Sequence, residues 1–211
     1  MKGSIVTISC FIAGCAAGLY FQTGTELVHK ASLWLLYLLM LQAGISIGSN
    51  SQLPQILKSI SPRLFIMPVA IIIGAILFSA FAGLLLAPIF GREVTQYMAV
   101  GSACGYYSLS SLLIGNLMEP TLGVTIAAEV ATVALLANIF RELFALVAAP
   151  WIVKWFSPEA EIAAAGVTAV DVCLPAIKKW CGLDYLPAAI VCGVLIDIAT
   201  PFLISFFCSI S

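Results

Sequence analysis

Long apolar runs separated by short polar stretches make up most of the 211-residue chain. Each run is about 17 to 27 residues long, and at about 1.5 Å per residue a helix of that length crosses roughly 30 Å of hydrocarbon. The first run also has the Lys2 and apolar core of a signal peptide, but it is long enough to span and no clean cleavage site follows it. The pattern predicts one membrane domain over residues 1–211, with spans at about residues 5–21, 31–47, 64–90, 121–149 and 186–210.

Two segments depart from this pattern because polar and helix-breaking residues interrupt them. Residues 94–117 contain Gly101, Gly105 and a cluster of hydroxyl side chains, and residues 162–181 carry Asp171 inside an apolar run. Irregular backbone at membrane depth is tolerated only where protein or a water-filled cavity satisfies its polar groups. We therefore expect both segments to be re-entrant or broken helices.

Prolines and polar residues set the expected ends of the fourth span. Pro120 sits where a first helical turn accommodates it, and Pro150 is expected to stop the helix after Ala149. The following stretch WFSPEAE, residues 155–161, is predicted to be a surface patch. The fourth span would be about 45 Å long, so it must tilt or project from the membrane.

Composition agrees with an all-α, polytopic integral membrane protein. Hydrophobic residues make up 62% of the chain and charged residues only 9%, which lies far outside the range of soluble domains. The net charge is −1 and there is no basic run, so nothing indicates a nucleic-acid partner. The seven cysteines have neither CxxC spacing nor the Cys/His spacing of a zinc site, so they are interpreted as packing residues, and no metal or cofactor is expected.

The short loops predict an orientation. With a cytoplasmic N-terminus, five crossings and an extracytoplasmic C-terminus, Lys30 and Arg92 lie outside, and six basic residues lie inside: Lys2, Lys58, Arg63, Lys154, Lys178 and Lys179. In this orientation the two irregular segments re-enter from opposite faces. That arrangement is typical of secondary transporters with inverted repeats, whose substrates bind where the helix breaks meet.

Asp171 is the first candidate for chemistry, because Pro175 follows it by four residues. Proline at i+4 cannot donate a helical hydrogen bond to residue i, so Asp171 would offer a carboxylate and a free carbonyl at one place. Asp197 and Pro201 repeat the spacing in the last span. Either pair would make a cation site at membrane depth. The alternative is that Asp171 is interfacial and caps a short helix.

The fourth span supplies the next candidates. It holds Glu129, Arg141 and Glu142, and a charge at the bilayer centre costs about 2.5 to 3.5 kcal/mol on insertion scales. Asn138 shares a helix face with Glu142, whereas Glu129 lies on a different face. A structural pair between Arg141 and a carboxylate, with Glu129 reaching another helix, is the competing interpretation.

The hydroxyl cluster GYYSLSSLLI opens a helical piece just after Gly105. Its candidate ligands are Tyr107, Ser108, Ser110 and Ser111. A helix N-terminus presents free N–H groups and about half a positive charge, which suits the carboxylate of an amino acid. Packing of serines between helices explains the same residues.

Three stretches together resemble the LysO lysine exporter family: GYYSLSSLLI (105–114), ALLANIFREL (134–143) and VDVCLPAIKKWCG (170–182). The resemblance implies export of L-lysine and its toxic analogue thialysine across the bacterial inner membrane. It also implies that the family's two functional intramembrane acids correspond to Glu142 and Asp171. Full-length members carry about three further N-terminal spans, so either a separate small membrane subunit or a homo-oligomer would complete the transporter.

Export of a cation against an inside-negative potential needs a driving ion, and protons exchanging at Glu142 and Asp171 would meet that need. An intramembrane protease is disfavoured, because the chain has one histidine and neither an HExxH nor a GxGD motif. A holin-like or purely structural membrane component remains as an alternative. Such a component would not need the two acids.

Overall fold

The computed structural model describes residues 62–211 continuously. Before them it describes only short helical pieces at residues 13–14, 16–17, 30–31, 34–35, 37–38, 41 and 45. Most of the predicted spans over residues 5–21 and 31–47, with Cys10 and Cys15, therefore lies outside the described residues. The part of the chain that is described contains helices and no β-strand, which confirms the all-α prediction.

Seven α-helices follow one another between residues 62 and 211. They are α1 (Pro62–Phe90), α2 (Val94–Ser102), α3 (Tyr107–Leu122), α4 (Val124–Trp155), α5 (Pro158–Ala165), α6 (Leu174–Trp180) and α7 (Leu186–Ser209). Two 3₁₀ segments, Gly166–Val170 and Leu183–Tyr185, precede α6 and α7. Three of the described helical stretches are long and apolar enough to cross a membrane: Phe65–Phe90, Val124–Trp155 and Leu183–Ser209.

Both irregular segments contain a break in the helix. Between α2 and α3 the chain turns through Cys104 at φ 48° and Gly105 at φ 103°, in the left-handed region that interrupts a right-handed helix. The second break starts at Gly166, whose φ is 62°, and continues through the 3₁₀ segment to α6. Re-entry of the two segments from opposite membrane faces stays a prediction.

The prolines do not end helices where the sequence suggested. Pro120 lies inside α3, and Gly123 at φ 82° separates α3 from α4. Pro150 lies inside α4, which continues to Trp155. Proline removes only one backbone hydrogen bond of this 32-residue helix, and a long helix in an apolar setting tolerates that loss.

Two buried clusters form the core, and α7 contributes to both. The first joins α2, α3, the first half of α4 and the end of α7, with Ile114, Met118 and Ile204 fully buried. The second surrounds the break after α5, with Ile162 and Ile177 packed against the first half of α7. Helix α7 therefore lies against both broken segments and fixes them relative to each other.

Candidate functional site

The two helix breaks touch each other through their backbones. The N–H of Val167 donates to the carbonyl oxygen of Cys104 over 3.0 Å. Glycines make this approach possible, because a Cβ added to Gly166 would lie 2.2 Å from the Cys104 oxygen and one added to Gly105 would lie 3.1 Å from the Ala165 oxygen. The meeting of the breaks is therefore a close backbone contact between segments about 60 residues apart in sequence, and a candidate site can be built around it.

Helix α4 secures both breaks with polar side chains. The Oδ1 atom of Asn138 accepts the Gly105 N–H at 2.8 Å, while its Nδ2 donates to the Ala134 carbonyl at 2.8 Å. The guanidinium of Arg141 donates to the carbonyls of Ala164 at 2.9 Å and Ala163 at 2.8 Å. Arg141 thus satisfies carbonyls left open at the C-terminus of α5. Asn138 and Arg141 both form hydrogen bonds with backbone groups of the breaks. Glu142 follows Arg141 directly on the same helix.

Three acids from three parts of the chain lie within electrostatic range of one buried thiol. Glu142 of α4 has only 1% of its surface exposed, and Glu161 of α5 has none. Both carboxyl groups interact electrostatically with the thiol of Cys173, and so does Asp171. Cys173 is fully buried, and its sulfur lies 3.2 Å from the hydroxyl of Thr168. The second break therefore brings Glu142, Glu161 and Asp171 into one region where their charges act on the same thiol.

Asp171 and Asp197 form the open side of this region. Asp171 is exposed and Asp197 is half-buried. They are close enough to interact electrostatically, and both act on the hydroxyl of Tyr106. Tyr106 precedes the first residue of α3, so the two carboxylates lie near the positive end of that helix. The sequence-predicted acids Glu142, Asp171 and Asp197 are thus neighbours around the breaks.

The prediction that the backbone carbonyl of Asp171 has no hydrogen-bond partner is wrong. That carbonyl accepts a hydrogen bond from the N–H of Leu174 at 3.3 Å. Asp171 ends the 3₁₀ segment, and Pro175 occupies the first turn of α6, where a backbone N–H would have no acceptor within the helix. One oxygen of Asp171 accepts the N–H of Val172 at 2.5 Å. For Asp197 in α7, a carbonyl without its helical hydrogen bond stays a prediction. Pro201 lies inside that helix and cannot donate to the carbonyl of Asp197.

The hydroxyl cluster lies in the first turns of α3. Ser110 is fully buried, and its hydroxyl donates to the Tyr107 carbonyl at 3.2 Å, so it serves packing and local backbone contacts. Tyr107, Ser108 and Ser111 are half-buried. Their binding of a substrate carboxylate stays a prediction.

Glu129 does not join the other acids. It is thirteen residues from Glu142, or about 20 Å along α4, and it forms a salt bridge with Arg92 just before α2. The pair lines a separate cavity of about 410 Å³ together with Gln96 and Tyr97. Glu129 therefore fits the alternative interpretation, in which it is a structural acid that reaches another part of the chain.

Glu161 is the acid that the sequence interpretation missed. The stretch WFSPEAE was predicted as a surface patch, and Glu159 is exposed as expected, but Glu161 is fully buried. Residues two apart on a helix point about 200° away from each other, so one of the two had to face inward once α5 packed on the protein. The two-residue spacing of Glu159 and Glu161 was therefore the feature of the sequence that could have indicated a buried acid.

In the described part of the chain, His, Cys, Asp and Glu side chains form no group of three or more that could hold a metal ion. The five described cysteines are free, and four of them are buried: Cys104, Cys173, Cys192 and Cys208. Their burial fits the predicted packing role.

The family model described as lysine exporter LysO matches residues 8–208. The chain belongs to the LysO lysine exporter family. Among curated relatives, "Lysine exporter LysO" of Escherichia coli (strain K12) is 30% identical over 203 residues, which cover 96% of this chain and 62% of that protein. "Putative lysine exporter" of Haemophilus influenzae (strain ATCC 51907 / DSM 11121 / KW20 / Rd) is 28% identical over 205 residues, 96% of each chain. No solved structure matches.

Proposed function

We propose that this LysO family member exports L-lysine, and its analogue thialysine, from the cytoplasm across the bacterial inner membrane by exchange for protons. The observation that carries the proposal is the contact between the two helix breaks beside Glu142, Asp171 and Asp197. Names of relatives support lysine as the substrate, but the chain spans only 62% of the E. coli relative, so export by this chain is our inference.

The proposed site suits both ends of lysine. The side-chain ammonium loses hydration when it enters the protein, and the carboxylates of Glu142 and Asp171 would offset that loss. The substrate carboxylate would bind at the start of α3 beside Tyr107 and Ser108, where the N-terminal end of the helix carries a partial positive charge. Asn138 would act indirectly, by holding Gly105 at this end of the helix.

Proton exchange follows from the cost of moving a cation outward. An inside-negative potential opposes export by about 2.3 kcal/mol per charge per 100 mV. A carboxyl removed from water favours its neutral form, while a bound cation favours the ionised form. Lysine and protons would therefore compete for the buried Glu142 and, once the open side of the site is covered, for Asp171. Lysine arriving from the cytoplasm would displace protons, leave outward and be replaced by protons from outside.

The matched test removes charge without changing shape. We expect Glu142→Gln and Asp171→Asn each to remove thialysine resistance and lysine efflux at normal membrane levels, since each leaves the ammonium without an anionic partner. Glu159→Gln and Asp184→Asn are the controls, because both acids are exposed and lie outside the site. The controls should keep full activity.

Full resistance in either site variant would contradict the assignment of that acid. If the chain exports no lysine and its effect on cells survives neutralisation of both acids, the holin-like or structural alternative is favoured, because that alternative does not need them. Efflux that tracks a sodium gradient and ignores pH would replace the proposed coupling ion while leaving the exporter in place.

A second polypeptide or a second copy of the chain is proposed to cover the open side of the site. Asp171 is exposed on this chain, and a carboxylate at membrane depth should not face lipid. We expect the chain to co-purify with a small membrane protein or as a homo-oligomer, as measured by cross-linking and by mass in detergent. Export at full rate by a strict monomer would contradict this proposal.

A further inference from the structure

Glu161 is a buried acid without hydrogen-bond partners in the described part of the structure. It lies in the first turns of α5, which Ser157 caps by accepting the N–H of Ala160 at 3.1 Å. Its side chain is fully buried, and neither carboxyl oxygen has a hydrogen-bond partner among the described residues. A carboxylate held only for structure is normally bonded to donors or paired with a cation. A purely structural role therefore does not explain why Glu161 is buried.

The charged and titratable groups around Glu161 come from the elements packed on α5. Helix α4 brings Arg141 and Glu142, and the guanidinium hydrogen bonds of Arg141 go to the carbonyls of Ala163 and Ala164. The described side chains of α1, residues 65–90, include no titratable group. The other such groups belong to α5 itself and to the segment from the 3₁₀ turn through α6: Glu159, Asp171, Cys173, Lys178, Lys179 and Cys181.

Burial raises the pKa of Glu161 to about 7. The neutral form is then favoured in the folded protein below that pH, and a modest change in surroundings or pH switches the group. Glu161 shares the thiol of Cys173 as a neighbour with Glu142 and Asp171, and it shares the thiol of Cys181 with the exposed Glu159. It therefore lies between the proposed substrate site and the solvated side of α5.

We propose that Glu161 carries the exchanged proton between the Glu142 and Asp171 site and the solution next to α5. The proposal rests on the proposed exchange of lysine for protons. A proton displaced from Glu142 by the arriving ammonium is accepted by the Glu161 carboxylate, which becomes a neutral carboxyl group. That group then releases the same proton to water near the Lys154 end of α4, which the loop charges assign to the cytoplasm, and no other reactant is needed.

Glu161→Gln separates proton movement from substrate binding. In proteoliposomes containing the full chain with whatever co-purifies, we expect this variant to keep exchange of labelled for unlabelled lysine, because that exchange needs no net proton release. Transport driven by a pH gradient should fall by roughly tenfold or more, as for the loss of a positioned proton carrier. Glu159→Gln is the matched control on the same helix, with both activities unchanged.

Two results would overturn the proposal: gradient-driven transport by Glu161→Gln at the wild-type rate, or loss of lysine exchange together with gradient-driven transport. Absence of lysine exchange in the wild-type protein would instead refute the proposed function itself. The two failures are therefore distinguishable.

Glu161→Asp covers the case in which the glutamine variant does not reach the membrane. It keeps a carboxyl group on a shorter side chain, so coupling should persist with a shifted pH midpoint. An unchanged midpoint would contradict the proposal.

A stability measurement provides a readout independent of transport. Since the folded-state pKa of Glu161 lies above its ordinary 4.5, its protonation stabilises the fold fully below about pH 4.5, and this contribution is lost as pH rises through about 7. The wild-type Tm should thus fall between about pH 4.5 and pH 7, and Glu161→Gln should flatten that fall. An equally steep fall in the variant would show that Glu161 does not titrate there.

Discussion

At the scale of single residues, Gly166 controls how closely the two breaks can approach. Its φ of 62° disfavours any side chain, and an added Cβ would also lie 2.2 Å from the carbonyl oxygen of Cys104. Gly123 has a similar backbone strain at φ 82°, but nothing lies within 4 Å of its Cβ position. Comparing substitutions at Gly166 and Gly123 therefore separates the effect of the steric clash from the effect of the left-handed backbone.

We expect Gly166→Ala to lower the free energy of unfolding by roughly 2 kcal/mol more than Gly123→Ala, because the backbone at Cys104 must move away. Thermal unfolding of both variants in detergent measures the difference, and lysine efflux should fall only in Gly166→Ala. Equal losses of stability in the two variants would mean that the contact between the breaks contributes little.

The sequence singled out Glu142 as an acid among apolar residues and overlooked Glu161, although both are buried. Glu142 stands inside a spanning helix, and the cost of placing a charge among apolar residues is evident from the sequence alone. Glu161 stands beside serine, proline and a second glutamate, which suggested a solvated surface. The Pro175 argument was wrong because it assumed a continuous helix, whereas the break at Gly166 had already ended that helix.

At the scale of elements, hydropathy and length predicted the long helices, because each must supply about 30 Å of apolar surface. Glycine and polar residues also indicated the two irregular segments. The ends of α3 and α4 were displaced because Pro120 and Pro150 lie inside the helices, where one missing hydrogen bond is tolerated. Local signals thus specified elements more reliably than the residues at which they end.

Contacts between elements were beyond the reach of local sequence patterns. Helical spacing placed Asn138 and Glu142 on one face, but it could not reveal that Asn138 accepts the Gly105 N–H or that Arg141 caps α5. These partners are 33 and 23 residues away in sequence, and no local pattern encodes such a pairing. The same holds for the meeting of Cys104 and Val167, which makes the site.

At the scale of the whole molecule, the orientation in the membrane decides whether proton and substrate movements have the proposed directions. Glu161 can release protons to the cytoplasm only if the end of α4 near Lys154 lies there. The positive-inside rule supports that arrangement, since the opposite orientation would place six basic residues outside and two inside. With the predicted five crossings, the C-terminus would lie on the other side.

Cysteine labelling tests this orientation at the two ends of the C-terminal half. We expect Ser211→Cys, just after α7, to react with a membrane-impermeant maleimide in intact cells, and Lys154→Cys to react only after permeabilisation. Lys154 is exposed, Ser211 is half-buried, and the nearby native Cys208 is buried, so the unsubstituted protein provides the background signal. If Ser211→Cys reacts only in permeabilised cells, the five-span orientation is wrong. If Lys154→Cys also reacts in intact cells, proton release through Glu161 would have to occur on the extracytoplasmic side, which is incompatible with lysine export driven by inward proton flow.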